Sequence, residues 1–122
     1  MAQPTTTNSR ILWGIRILLA LTFGAAGAAK LTGVPQMVSV FEVIGWGQWF
    51  RYLTGTVEVG GALLMLVPAA GLAAGLLLGG TMASATLAHL LVVPGSPVPA
   101  LVLGLLCAVV VWNLRPAGFR RA

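Results

Sequence analysis

Long apolar runs, separated by short segments rich in Gly and Pro, constrain this chain of 122 residues more than any other feature. Only 7% of the residues are charged, whereas a soluble domain carries about 25%. Lipid is therefore the expected solvent. A chain that spans lipid must satisfy every backbone N–H and C=O internally, which leaves helices and closed barrels. Unbroken apolar runs favour helices, because barrel strands alternate apolar and polar residues.

The apolar runs predict an all-α membrane protein, a bundle of four transmembrane helices. At a rise of about 1.5 Å per residue, each run approaches the thickness of the hydrocarbon core. The predicted spans are residues 11–29, 49–67, 70–93 and 98–114. Pro68 leaves a very short connection between the second and third spans, so these two are expected to be antiparallel neighbours.

A short amphipathic segment lies between the first and second spans. Met37, Val40, Phe41 and Ile44 recur at helical spacing, in a stretch too short to cross a bilayer. This pattern predicts a short interfacial helix that lies on the membrane surface. The indoles that follow it in sequence are of the type enriched at membrane interfaces.

The cations are concentrated near the chain ends. Five of the seven Lys and Arg residues lie there: Arg10, Arg16, Arg115, Arg120 and Arg121. The positive-inside rule then predicts a multi-pass membrane protein with both termini in the cytoplasm. Residues 1–10 are expected to be a disordered N-terminus and residues 115–122 a basic tail. Arg16 is expected to extend back to the lipid headgroups. We expect no nucleic-acid partner.

Small residues recur at four-residue spacing in three of the predicted spans. Such series allow helix backbones to approach closely in lipid, where no hydrophobic force drives helices together. They predict tight packing within the bundle and are compatible with a homo-oligomer. The glycines expected at helix contacts are Gly24, Gly60, Gly61, Gly71, Gly75, Gly79 and Gly104.

Ionisable residues at membrane depth are the strongest candidates for function. Each costs roughly 2.5–3.5 kcal/mol at a helix centre, so each needs a reason to be there. Glu58 falls near the middle of the second span, Lys30 ends the first, and His89 lies near the end of the third. Helical side chains lean toward the helix N-terminus, which helps to close an axial gap of about 13 Å between Glu58 and the two bases. We predict a polar pocket that opens to the outer face.

Four more polar side chains are expected around this pocket. Arg51 and Glu42 are predicted at its rim, and Tyr52 and Thr54 are predicted to add hydroxyl groups. Plainer interpretations stay open for the bases. Lys30 and Arg51 have the position of anchors that extend to the interface, and a lone His is often an ordinary polar residue. Glu58 is expected to serve either a structural ion pair or a function.

No motif for a bound metal, haem or thiol redox centre is visible. The chain has one His and one Cys, with no HExxH and no CxxC pair. Cys107 lies within an apolar run and is expected to pack as a small hydrophobic side chain.

Three segments together resemble the DoxX and DoxX-like family of small bacterial membrane proteins. The first is residues 24–31, a Gly-rich stretch that ends in Lys30 and Leu31. The second is residues 53–64, with Gly55, Glu58 and a Gly-Gly pair, and the third is residues 82–89, which ends in His89. The resemblance covers about residues 11–114 and implies four transmembrane helices. It also implies that Lys30, Glu58 and His89 are the polar set of the family.

The resemblance implies a membrane subunit or accessory protein of a quinone-linked redox or oxidative-stress system. A quinone headgroup or a lipid-like substrate is then the expected occupant of the pocket, and membrane lipids and a redox protein are the expected partners. Two alternatives stay open. One is a scaffold or assembly factor without enzymatic activity, in which Glu58 and its cation fix the bundle. The other is a small transporter, although no inverted repeat or broken helix is visible.

Overall fold

A computed structural model describes residues 9–116, which form α-helices and one 3₁₀ turn without any strand. The elements are α1 (Ser9–Thr32), α2 (Pro35–Ile44), α3 (Trp49–Met65), the 3₁₀ turn (Pro68–Ala70), α4 (Gly71–Leu91) and α5 (Val98–Leu114). The all-α prediction is confirmed. The expectations for residues 1–8 and 117–122, a disordered N-terminus and the end of a basic tail, lie outside the described residues.

Two helical segments, Ser9–Thr32 and Pro68–Leu91, are long and apolar enough to cross a membrane. The shorter helices α3 and α5 contain 17 residues each, about 26 Å at 1.5 Å per residue. α1 begins before and ends after the predicted first span. α3 stops two residues earlier than predicted because the chain turns into an extended residue, Val67, before Pro68.

Local sequence explains where the short α2 begins and ends. Gly33 takes a φ of 76°, which favours glycine, and allows the chain to leave α1. Pro35 opens α2, where its missing N–H costs no helical hydrogen bond. Gly45, with a φ of 82°, ends α2 in the left-handed conformation, and its N–H donates to the carbonyl of Phe41.

Two antiparallel helix pairs build the bundle. α1 packs most extensively against α3, and α4 packs most extensively against α5. α3 and α4 join the pairs, while α1 and α5 touch over a smaller area. The core where the pairs meet is apolar and includes Leu19, Phe23, Met65, Leu78 and Val110, each almost fully buried.

The apolar stripe of α2 faces the bundle rather than lipid. Phe41 is buried, and its ring lies edge-on to that of Phe50 in α3, with the ring centroids 5.7 Å apart. Glu42 is exposed on the other side of the helix. The predicted helix is therefore present, and its apolar side covers the start of α3.

Most of the predicted glycines do lie at helix contacts. A Cβ at Gly61 would come within 2.5 Å of Leu78, and one at Gly75 within 2.8 Å of Val111. The other close or ordinary contacts are Gly71 with Leu114, Gly79 with Cys107, Gly104 with Met82, and Gly24 with Ala62. The prediction for Gly60 is wrong, because nothing lies within 4 Å of the position of its Cβ. Its helical phase turns it away from the neighbouring helices.

The closest approach of α1 to α3 involves two glycines that the four-residue series did not identify. A Cβ on Gly27 would lie 2.8 Å from the carbonyl oxygen of Gly55, and one on Gly55 would lie 3.0 Å from that of Gly27. The contact is therefore backbone against backbone, which only residues without a side chain permit.

Candidate functional site

An ion pair joins α1 to α3 just beside this backbone contact. The Nζ atom of Lys30 donates a hydrogen bond to Oε1 of Glu58 over 2.8 Å. Lys30 lies in the last two turns of α1, where a cation also interacts favourably with the helix dipole. Because Gly55 has no side chain, the Cβ of Lys30 approaches α3 closely. The sequence placed these two residues in one pocket, and the structure brings them into contact.

The two ends of the ion pair differ in exposure. The side chain of Glu58 is 2% exposed, whereas that of Lys30 is 15% exposed. Glu58 is thus covered on all sides, and Lys30 remains reachable from the end of the bundle where α1 ends. A buried ion pair needs good geometry because both charges lose their water. The short contact supplies that geometry.

Arg51 is not at the rim of a pocket, because it is only 6% exposed. Its Nε donates to Oε1 of Gln48 over 2.7 Å, and its guanidinium also donates to the backbone carbonyl of Lys30. That carbonyl belongs to the end of α1, where intrahelical donors run out. Gln48 in turn donates to the carbonyl of Val38 in α2 over 3.2 Å. Arg51 therefore caps α1 and, through Gln48, fastens α2.

No hydrogen bond joins Tyr52, Thr54 or Glu42 to the ion pair in residues 9–116. Tyr52 is half exposed, and the guanidinium carbon of Arg51 lies 4.4 Å from the centre of its ring. The hydroxyl of Thr54 donates to the carbonyl of Phe50 over 2.8 Å, so its proton is engaged within its own helix. Glu42 is exposed on α2, and its helix places it away from the interior.

His89 lies farther along the bundle than the ion pair. Gly61 of α3 faces Leu78 of α4. Glu58 lies three residues from Gly61, and His89 lies eleven residues from Leu78, both toward the same end of the bundle. At 1.5 Å per residue, about 12 Å of helix axis separates Glu58 from His89. Within residues 9–116, the buried Nδ1 of His89 has no hydrogen-bond partner. The structure therefore leaves an unsatisfied imidazole beyond the ion pair.

Seven Ser and Thr hydroxyl groups in the helices are satisfied locally. Each donates to the carbonyl four residues earlier, a pattern common for Ser and Thr in helices. These residues are Thr22, Thr32, Thr54, Thr56, Thr81, Ser84 and Thr86. They consequently do not form a polar path across the bundle.

Arg16 forms a second buried site that the sequence interpretation missed. It is 2% exposed, and its Nε and Nη2 donate to the carbonyls of Met65 and Val67 over 2.9 and 2.8 Å. The expectation that Arg16 extends to the headgroups is wrong. The carbonyl of Met65 lies at the end of α3, where intrahelical donors run out, and that of Val67, just after the helix, also accepts from the N–H of Ala70. Gly71 makes room, since a Cβ there would lie 2.7 Å from Arg16.

The two arginine caps are reciprocal. Arg16, near the start of α1, caps the end of α3, and Arg51, near the start of α3, caps the end of α1. Antiparallel packing creates this relation, because each helix start lies beside the end of its partner. An Arg one or two turns inside two antiparallel spans is the sequence signal that points to such caps.

The part of the chain that the structure describes contains no set of side chains that could bind a metal ion. No group of three His, Cys, Asp or Glu side chains lies together in residues 9–116. Cys107 is fully buried among apolar side chains, as the prediction for a small hydrophobic residue requires.

Comparison with known proteins identifies a family for this chain. A sequence model described as the DoxX-like family matches residues 15–112, most of the chain. This range includes Lys30, Glu58 and His89. No curated protein and no solved structure matches the chain.

Proposed function

Because the chain belongs to the DoxX-like family, we propose that it is a membrane subunit or accessory protein of a quinone-linked redox or oxidative-stress system. The observation that supports this proposal is the Lys30–Glu58 ion pair, buried on its acidic side and accessible on its basic side. An ionisable pair inside an apolar bundle is a candidate functional site by default. That quinone is the ligand of this site is likewise proposed.

The donor set at this end of the bundle fits a quinone headgroup. Quinone, when bound, supplies two-electron, two-proton redox chemistry. The Lys30 ammonium has three donors, and Glu58 engages one of them, so Lys30 retains donors for a carbonyl oxygen. The Nδ1 of His89 has no partner among the described residues but is buried, so we assign the headgroup to Lys30. Glu58 is placed to accept a proton from Lys30, and its carboxyl group would then hold that proton inside the membrane.

We propose that all four of α1, α3, α4 and α5 cross the bacterial cytoplasmic membrane, with both chain termini in the cytoplasm. The cations near the chain ends support this orientation. A reporter fused at Ala122 is expected to be active only in the cytoplasm, and one inserted near Gln36 only outside. The reverse pattern would overturn the orientation, and with it the outward opening of the site.

The experiment that tests the quinone proposal is mass spectrometry of gently purified protein with its bound lipids. Wild-type protein is expected to retain quinone, and Lys30→Met is expected to lose it, because a carbonyl would then lack its donor. Leu77→Ala, an exposed position on α4, is the matched control and is expected to retain quinone. Equal quinone content in all three proteins, including none, would contradict the proposal.

A scaffold or assembly factor is the second candidate function. Arg16, Arg51 and the Lys30–Glu58 pair support this candidate, because each of the three cations donates its hydrogen bonds to groups of the protein itself. Such ties fix the bundle without any ligand. A stable stoichiometric protein partner, co-purified without quinone, would favour this candidate over the first.

A further inference from the structure

The short helix α2 has glycines in the left-handed conformation at both of its ends. Gly33 precedes it with a φ of 76°, and Gly45 and Gly47 follow it with φ values of 82° and 97°. Glycine adopts positive and negative φ at similar cost, so the chain can change direction at these positions. α2 can therefore turn as a unit on a hinge at each end.

A ring contact and a hydrogen bond hold α2 against the start of α3. The ring of Phe41 lies edge-on to that of Phe50, and Nε2 of Gln48 donates to the carbonyl of Val38 over 3.2 Å. An apolar side chain that leaves the bundle for lipid loses no hydrophobic burial, because lipid tails are as apolar as the core. The docked position of α2 therefore depends on these specific contacts rather than on the hydrophobic effect.

The docked α2 also supports the last turn of α1, which carries Lys30. The N–H of Val34, just before α2, donates to the carbonyl of Ala29 over 3.1 Å. The guanidinium of Arg51 donates to the carbonyl of Lys30, and its Nε donates to the same Gln48 side chain that binds α2. Carbonyls at a helix end lack intrahelical donors, so the loss of these bonds loosens the turn.

We propose that α2 is a hinged clasp that controls access to Lys30. When α2 is docked, the last turn of α1 is held and Lys30 stays on Glu58. When α2 is released, this turn loosens and the ammonium of Lys30, only 15% exposed in the docked state, leaves Glu58 and becomes open to a ligand. The inference rests on the proposed function only in taking Lys30 as the reachable end of the site.

The sequence of α2 suits the released position as well as the docked one. Its apolar stripe, which includes Phe41, would face the acyl chains. Gln36, Ser39 and Glu42, which are exposed in the docked state, would face water. This is the arrangement of an amphipathic helix that lies in the membrane interface.

The chain contains two residues that report on this movement separately. Lys30 is its only lysine, and Cys107 is its only cysteine. Cys107 is fully buried in the core, so its reaction with a maleimide reports opening of the whole bundle. Reaction of Lys30 with a succinimidyl ester reports its release from Glu58. Both rates are measured by mass spectrometry of the full chain in nanodiscs, and fragment masses separate Lys30 from the amino terminus.

Gln48→Ala removes the link between α2 and Arg51. It is expected to raise the labelling rate of Lys30 about tenfold and to leave that of Cys107 unchanged. Gln36→Ala, an exposed glutamine on the same helix, is the matched control and is expected to label like the wild type. If Gln48→Ala does not fold, Phe41→Leu removes the ring contact with Phe50 instead and is expected to raise Lys30 labelling about fivefold.

Lys30 labelling in the clasp variants that equals the rate in the control would overturn the proposal. A parallel rise at Cys107 would also overturn it, because the whole bundle would then have loosened. The quinone proposal fails separately. Absence of retained quinone contradicts that proposal without changing either labelling rate, since no quinone takes part in the labelling reactions.

Discussion

The α1–α3 pair and the α4–α5 pair are both antiparallel and tightly packed, but different chemistry holds them. Buried Arg16 and Arg51 each tie a helix of the first pair to carbonyls of its partner, and Lys30 and Glu58 add an ion pair. The second pair packs glycines against apolar side chains: Gly75 on Val111, Gly79 on Cys107 and Gly104 on Met82. The Lys30–Glu58 ion pair lies entirely in the first pair, whereas His89 lies on α4 in the second pair.

The difference teaches how a small membrane bundle divides its tasks. A seam of glycines sets how closely two helices approach, but apolar contacts specify the register only by shape. A charged donor directed at particular carbonyls specifies the register directly, since a shift along the axis breaks the hydrogen bonds. Every buried charge in the α1–α3 pair also needs a partner, so removal of these charged residues is expected to cost the most stability.

The largest effect is expected from Glu58→Leu, which breaks the ion pair and leaves Lys30 without its partner. Removing one member of a buried pair costs about 3–5 kcal/mol, at the lower end here because Lys30 is partly exposed. Glu58→Gln keeps an acceptor for Lys30 and is expected to cost clearly less. The measurement is the midpoint of unfolding in a denaturing detergent titration.

Lys30→Met provides the control for this prediction. In a Lys30→Met background, the difference between Glu58→Leu and Glu58→Gln is expected to narrow, because no unpaired cation remains. A Glu58→Leu protein that is as stable as the wild type would show that the ion pair contributes nothing and that the two helix pairs are equivalent in this respect.

The next effect concerns the arginine cap at the end of α3. Arg16→Met keeps the apolar stem of the side chain and removes two hydrogen bonds from a charged donor, at a cost of about 3 kcal/mol. Leu18→Ala, at an exposed position of the same helix, is the comparison and is expected to have little effect in detergent. A loss of stability that is equal at both positions would mean that the buried contacts to Met65 and Val67 do not matter.

Sequence reasoning predicted the parts of the fold that periodicity and composition determine. The four apolar helices, the short helix α2 and the turn at Pro68 follow from apolar runs and their breakers. The contact between Lys30 and Glu58 was accessible as well, because a buried carboxylate among so few charges has few partners available.

The parts that sequence reasoning missed depend on three-dimensional phase and on backbone partners. Arg16 was expected at the headgroups because its position suits an anchor, but the pairing of α1 with α3 brings the carbonyls of Met65 and Val67 within its reach. Gly60 and Gly61 are adjacent and identical in type, and only the rotation of α3 decides which one meets Leu78. His89 lies toward the same end of the bundle as the ion pair, as predicted, but about two turns farther along the axis than Glu58.

The glycine seam of the α4–α5 pair gives the third prediction. Gly75→Leu forces a side chain into the space of Val111 and Val110 and is expected to cost about 1–3 kcal/mol and to lower the folded yield in detergent. Leu77→Ala, on the exposed side of the same helix, is the control and is expected to change little. Comparable yields of the two variants would show that α4 and α5 are not held by this seam.

The smallest effect is expected where α3 joins the two pairs, at the adjacent glycines 60 and 61. Gly60→Ala places a methyl group in open space, and it is expected to stabilise the helix by about 0.5–1 kcal/mol, since Ala loses less conformational freedom than Gly. Gly61→Ala places the same methyl group 2.5 Å from the buried Leu78 and is expected to destabilise by about 1–2 kcal/mol. Both variants replace Gly by Ala in the same helix, so the effect of helix propensity cancels when their stabilities are compared. The remaining difference in stability reports the contact with α4. Unfolding midpoints measured side by side give that difference. If the two variants move the midpoint in the same direction by similar amounts, α3 and α4 are not in close contact, and the two helix pairs are independent units rather than one bundle.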